Sequence, residues 1–264
     1  MARTFDPNYA AYLYVASAVI TDYPHTMSAW FTTDPDVSNW ADRVLVAVSD
    51  QDAANSYGSR LVIFFRGVPT SINIRAESHN NDSTGIAVSG NETVVANTWY
   101  HAAGVFTSST DREVYYSGLS ADTDATDIAM TGLSHTSIGA VLRNSSYDKI
   151  YWGSVAEVGI WNVALTASEI ATLSVGYSPL LVRPQSLVFY VPLVRDNDDD
   201  IVGGLSMTAV VSSGFPGIAT HPPIIYPSSP IYLPKQNYSL NVTAEAALAG
   251  TNYGLAVTMV PGGK

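Results

Sequence analysis

Cysteine is absent from this 264-residue chain, which excludes disulfides, thiolate metal sites and cysteine nucleophiles. Charge is also scarce: Asp, Glu, Lys and Arg make up 13% of the residues, and 12 basic residues face 23 acidic ones, a formal net charge of −11. A surface of that sign repels a phosphate backbone, so nucleic acid is not expected as a partner. No apolar run approaches membrane-spanning length, and no membrane partner is expected either. Glycine-rich phosphate loops and Gly-x-Ser-x-Gly are missing, and the five histidines (His25, His79, His101, His135 and His221) show no ligand spacing. The opening MARTFDPNYAAYLYVASAV lacks a basic stretch followed by an uninterrupted apolar one, so no export signal is expected.

What the chain does have is many short apolar stretches of strand type. Met27 to Thr32, Val44 to Val48, Leu61 to Phe65, Val94 to Phe106 and Val114 to Tyr116 are rich in β-branched and aromatic residues. Ile72-x-Ile74 and Ile86-x-Val88 alternate as half-buried strands do. Strands at this spacing predict a two-sheet sandwich and not a βαβ fold. Val155, Val158, Ile160 and Trp161 form a denser run that suits a strand covered on both faces. Immediately afterwards Thr166-Ala-Ser-Glu169 reads as a capping box, and Ile170 and Leu173 give the short helix behind it an apolar stripe.

These residues carry a resemblance. Gly153, the Glu157-Val158-x-Ile160-Trp161 run, and Asn162, Leu165, Thr166, Glu169 and Ile170 resemble a motif of the laminin-G-like, concanavalin A-like jelly-roll domains. MSAWF (Met27 to Phe31), NTWYHAAGVF (Asn97 to Phe106) and VYYSG (Val114 to Gly118) resemble three further motifs of that family, in the expected order. GYSPLLVRPQSLVFYVPLVRD and HPPIIYPS are similar to a subgroup found in environmental bacterial and phage proteins. The resemblance implies an all-β, two-sheet antiparallel jelly-roll sandwich with one short helix, to which the proline-rich C-terminal stretch adds an extended arm. Leu187 to Leu193, the acidic run Asp196 to Asp200 and Gly203-Gly204-Leu205 resemble the family's usual opening, here placed last. We therefore expect a sandwich over 1–220, with 187–210 supplying a permuted strand pair, and an assembly or anchoring arm over 221–264.

The arm is proline-rich from His221 to Pro234, which suits an extended course. Tyr238-x-Leu240-x-Val242 then recurs as Tyr253-x-Leu255-x-Val257, predicting a hairpin that either lies on its own domain or adds to another chain. These six residues are the expected assembly contacts.

The fold class includes glycan hydrolases, whose retaining members need two carboxyls about 5–5.5 Å apart. The family's single-strand E-x-D-x-x-E motif does not occur, and none of Glu77, Glu92, Glu113, Glu157, Glu169 and Glu245 has a partner at that spacing. Asp111 and Glu113 flank Arg112 at a loop edge, and Glu157 reads as a hydrogen-bonded structural carboxylate. No catalytic residue is assigned.

Glycan binding needs exposed aromatics beside amide or carboxyl groups. Trp40, Tyr57, Asn81, Asn144 and Tyr147 fall in predicted loops and are the candidates, whereas Trp30, Trp99, Trp152 and Trp161 fall in strand motifs and are expected in the core. Calcium is the ion the resemblance implies. Asp196, Asp198 and Asp200 have the spacing of a calcium loop's first ligands, but Ile201 and Met207 replace the glycine and glutamate such a loop requires, so the run reads first as a solvated acidic turn. The expected function is a non-enzymatic structural protein on a phage or virus surface, a head decoration or fibre subunit. Its expected partners are other virion proteins, copies of itself and cell-surface glycans. The alternative is an extracellular carbohydrate-binding lectin module.

Overall fold

The computed structural model describes residues 2–35, 40–50, 58–66, 70–80, 83–143, 146–194, 198–211, 217–227, 238–239 and 260–261. Its first strands are β1 (Ala2–Phe5), β2 (Tyr12–Val15), β3 (His25–Thr33), β4 (Trp40–Ser49), β5 (Gly58–Arg66) and β6 (Ser71–His79). Next come β7 (Thr84–Val88), β8 (Glu92–Thr93), β9 (Tyr100–Ser108), β10 (Asp111–Tyr116) and β11 (Leu119–Asp124). Then β12 (His135–Ile138), β13 (Val141–Arg143), β14 (Ser146–Asp148) and β15 (Gly153–Trp161) lead to helix α1 (Ala167–Ser174). Finally β16 (Leu187–Val191), β17 (Thr208–Val210) and β18 (Ile218–Ala219) complete the first of two compact units, Met1–Tyr226.

The first sheet runs β11-β10-β9-β3-β15-β1-β18, with β16 also paired to β15. The second runs β17-β2-β12-β4-β5-β6-β7, with β8 paired to β6. Non-consecutive, antiparallel neighbours in two facing sheets make this a jelly-roll sandwich, the all-β fold the sequence predicts. Alternation decides which side chains meet between the sheets. On β3, Met27, Ala29 and Phe31 point inward to join Leu13, Leu61 and Phe106 in the core, which leaves Ser28, Trp30 and Thr32 for the outer face.

The helix forms as its sequence predicts. Thr166 is extended (φ −75°, ψ 158°) and caps it, and the reciprocal Glu169 bond is present. Ile170 and Leu173 are the helix's buried residues. They pack with Trp161, Tyr115 and Val105 on the outer face of the first sheet, where the Trp161 Nε1 donates to Val182 O at 2.8 Å.

β15 is buried along its whole length. Its register against β3 slips between Ala156 and Gly159, where Glu157 takes a left-handed φ of 56°. On the other edge β1 pairs with residues up to Val155 and β16 takes over from Val158. One bulge thus lets a single strand edge serve two short partners.

Residues 187–210 give one strand to each sheet, since β16 pairs with β15 and β17 with β2. Asp200 turns the chain between them. Its Oδ1 accepts from the backbone N–H of Tyr190, Val202 and Gly203 at 2.9–3.0 Å, and a Cβ at position 203 would collide with its Oδ2.

Ile225 bridges to Tyr177, and the first unit extends to Tyr226. In the second unit, Pro227–Lys264, β19 (Tyr238–Ser239) pairs with β20 (Val260–Pro261), and Tyr238 faces Pro261. Leu240, Val242, Tyr253, Leu255 and Val257 lie outside the described residues.

Candidate functional site on the outer face of the second sheet

Leu13, Val48, Leu61, Ile74 and Ala76 point into the core, so their neighbours Tyr12, Tyr14, Arg60, Val62, Arg75 and Glu77 point outward from the second sheet. The β13–β14 hairpin attaches to this face. Val141 packs against Val44, Ala47 and Val62, and Val44 N donates to Lys149 O at 2.9 Å.

That hairpin brings three tyrosines together. The Tyr147 ring stacks on Tyr12 with centroids 4.3 Å apart and lies 5.1 Å from the Tyr14 ring. All three residues are half-buried. Burial raises the Tyr147 phenol, with Tyr12 and Tyr14 adding to the shift, and burial raises Tyr12 likewise. Both stay neutral near pH 7. The arrangement offers apolar ring faces for stacking, with Asp148 and Lys149 following directly in the chain.

Beside the tyrosines a ladder of charges crosses the sheet. Lys149 Nζ donates to Asp42 Oδ2 at 2.6 Å, and Arg75 Nη1 donates to Asp42 Oδ1 at 2.8 Å. Arg75 Nη1 also lies 3.7 Å from Glu77 Oε1, whose partner oxygen accepts from Arg60 Nε at 2.5 Å. Arg60 Nη2 reaches His79 Nε2 at 2.7 Å, and His79 Nδ1 meets Thr84 Oγ1 at 3.0 Å. Burial by itself would push the Glu77 carboxyl up, but Arg60 and His79 outweigh it and hold the group at about 2. Burial lowers His79 against the pull of Glu77 Oε2, which lies 3.1 Å from its Nε2, so the ring is mainly neutral near pH 7.

These charges are committed to one another and not to acid–base chemistry. A glycosidase needs a carboxylic acid that stays protonated near neutral pH, and Glu77 is held at the opposite extreme. Asp42 accepts from two cations. On the first sheet, Ser28 Oγ lies 2.8 Å from His101 Nε2, a spacing found in nucleophile–base pairs. Both residues are buried, however, and burial lowers His101 to about 3, too weak a base to activate a hydroxyl.

Of the glycan candidates read from the sequence, Trp40 and Tyr147 lie among the described residues. Trp40 opens strand β4, opposite Arg66, and does not lie in a loop. Tyr147 also lies in a strand, at the centre of β14, and it is the candidate that joins an aromatic cluster. Tyr57, Asn81 and Asn144 lie outside the described residues. Of the tryptophans expected in the core, only Trp161 is fully buried, while Trp30, Trp99 and Trp152 are half-buried. The reason is alternation: Trp30 shares its strand with inward-facing Ala29 and Phe31 and so faces out. Asp198 Oδ2 pairs with Arg3 at 2.9 Å and Asp200 serves backbone amides, while Asp196 lies outside the described residues. Among the described residues no group of three or more His, Asp or Glu gathers as metal ligands. Tyr12 and Tyr14 were missed as site residues, although their Tyr-x-Tyr alternation is visible in the sequence.

Glu77→Gln should destabilise the fold by about 3–5 kcal/mol, because it leaves the buried Arg60 without its counter-charge. Urea unfolding at pH 7 measures this. Because the folded carboxyl is held at about 2, below its ordinary range of about 4.3, its contribution is present above that range and lost as pH falls through the folded value. The variant should therefore lose less stability than the wild type between pH 4 and pH 2.

Residues 7–171 match the model of the concanavalin A-like lectin/glucanases superfamily. No curated protein sequence matches significantly. Among solved structures, the chain resembles the heptameric SAP-like pentraxin of Limulus polyphemus (TM-score 0.53, 15% identity, 80% of this chain and 94% of that one). It also resembles the CBM40 module of a Ruminococcus gnavus IT-sialidase (0.50, 13%, 66% and 95%). A third is a Bacteroides ovatus protein described as carbohydrate-binding (0.53, 15%, 83% and 61%). At these identities the likeness is one of fold. Because the family model spans more than half of its length, the chain belongs to the concanavalin A-like lectin/glucanase superfamily.

Proposed function

We propose that this chain is a non-enzymatic glycan-binding domain and that sugar rings stack on the platform of Tyr12, Tyr14 and Tyr147. The observation that carries the reading is the platform itself: three half-buried rings in mutual contact on one sheet face, next to polar side chains. Sugar faces carry C–H groups that pack on aromatic rings, while neighbouring polar groups orient their hydroxyls. The commitment of Glu77 and Asp42 to cations supports binding without turnover.

The domain is displayed on a phage or virus particle, with the sandwich outward and the segment from Pro227 engaging other virion proteins or copies of the chain. Support comes from the separate compactness of Pro227–Lys264 and the proline-rich stretch leading into it. Membership of a lectin superfamily favours a second reading, a free extracellular lectin module.

A glycan array followed by calorimetry tests the binding claim. Tyr147→Ala should weaken the best ligand at least about tenfold while leaving the thermal midpoint close to wild type, in line with the small effect of changes at partly exposed positions. Undiminished binding by that variant would place the site elsewhere. Light scattering tests the display claim: a multimeric full chain that becomes monomeric when cut after Pro227 supports assembly through the C-terminal segment. Monomers in both cases would remove self-assembly through it.

A further inference from the structure

A second buried polar cluster lies on the first sheet, around Glu157. This residue is 1% exposed. Its Oε2 accepts from the Tyr190 hydroxyl at 2.7 Å, and its Oε1 accepts from the Tyr226 hydroxyl at 2.7 Å and lies 3.2 Å from His221 Nε2. Ser178 Oγ donates to the Tyr190 hydroxyl at 3.2 Å. Tyr190 belongs to β16, whereas His221 and Tyr226 belong to the peptide that ends the first unit.

That peptide has few other ties. Ile225 N donates to Gly176 O at 2.7 Å and Ser178 N to Ile225 O at 3.0 Å, an isolated bridge and not a ladder. Trp99 Nε1 donates to Thr220 O at 2.9 Å, and β18 contributes a two-residue pairing with β1. The Glu157 contacts are therefore a large share of what holds residues 220–226.

The geometry around His221 specifies its charge. Nδ1 lies 3.0 Å from Pro222 O, and Nε2 lies 3.1 Å from Pro192 O as well as facing Glu157. Both nitrogens thus meet acceptors. A neutral imidazole has one N–H and one lone pair, so one nitrogen would face a carbonyl with no proton between them. The imidazolium satisfies both.

We propose that this cluster is a pH-released clasp: protonated His221, together with Tyr226, holds residues 220–226 against Glu157, and loss of the His221 proton frees the peptide that leads to Pro227. Burial works against the cation, but the bond to Glu157 and the two carbonyls outweigh it and raise His221 above its ordinary value. The sign follows from that direction. The stabilisation is complete below the ordinary histidine range, about 6.5, and is lost as pH rises through the raised folded value. Glu157 from β15 is the charged group acting on His221 among the described residues. Tyr190 from β16 and Tyr226 from the segment itself share that carboxylate, and burial raises both phenols, so they stay neutral as His221 titrates.

Hydrogen exchange of the full chain at pH 6 and pH 9, corrected for intrinsic rates, tests the clasp. The Ile225 and Ser178 amides should lose about tenfold protection at pH 9, the size of effect expected for one charge-assisted hydrogen bond. The amides of β3 and β9 should not change. His221→Gln should show the pH 9 level at both pH values, and Tyr226→Phe should lower protection at both without affecting the core strands. Glu157→Gln is avoided, because it alters a buried bulge and can unfold the sheet. Equal wild-type protection of Ile225 at both pH values would overturn the proposal. So would loss in parallel with the core strands, or a His221 ring titrating at or below the ordinary value by NMR.

Discussion

The bulge at Glu157 is the constraint on which the rest of the sandwich depends. β15 is the buried strand that joins β3 on one edge to two short strands on the other, and the handover from β1 to β16 occurs where Glu157 is inserted. Without the extra residue, one edge could not accommodate both partners in register. The left-handed backbone there costs about 1–3 kcal/mol. The carboxylate it directs into a dry site must also be paired. Hydrogen bonds to a charged group contribute about 1.5–3 kcal/mol each, so the Tyr190 and Tyr226 hydroxyls and His221 offset the strain. Because Tyr190 and Tyr226 lie on different segments, the same residue that shapes the strand also ties in the end of the unit.

Several of the chain's sparse charges lie inside such networks. Glu77 and Arg60 are both almost fully buried, Arg112 is fully buried beside Asp124, and Asp198 answers Arg3. A buried ion pair is weak evidence of net stability but strong evidence of commitment, since removing one partner strands the other. Carboxylates held in this way are poor proton donors. The half-buried tyrosines Tyr12, Tyr14 and Tyr147 are neutral and aromatic, and they lie beside one of these networks.

The fold was legible in the sequence because its signals are local. The capping box at Thr166 and Glu169 and the dense run of β15 appear as expected, since each depends on neighbours within a few residues. The site was less legible. Tyr147 sits in Ser146–Asp148, a short polar strand without apolar alternation, so it reads as a loop. Nothing local says that the face of Tyr12 and Tyr14 looks outward onto a hairpin more than a hundred residues away. Trp30, Trp99 and Trp152 were expected in the core on the strength of their motifs, yet strand alternation turns Trp30 out. The pairing of Glu157 with His221 and Tyr226 has no signal at all in one sequence, because the partners meet only through the tertiary fold.

The most direct measurement is an NMR titration of the full chain with isotope-labelled tyrosine rings, using glycans chosen by array screening. The account predicts that the ring signals of Tyr12, Tyr14 and Tyr147 shift together and saturably, while the buried Tyr151 and Tyr190 rings stay unchanged. Saturable binding that leaves all three platform rings unmoved, or the absence of any glycan ligand, would contradict it.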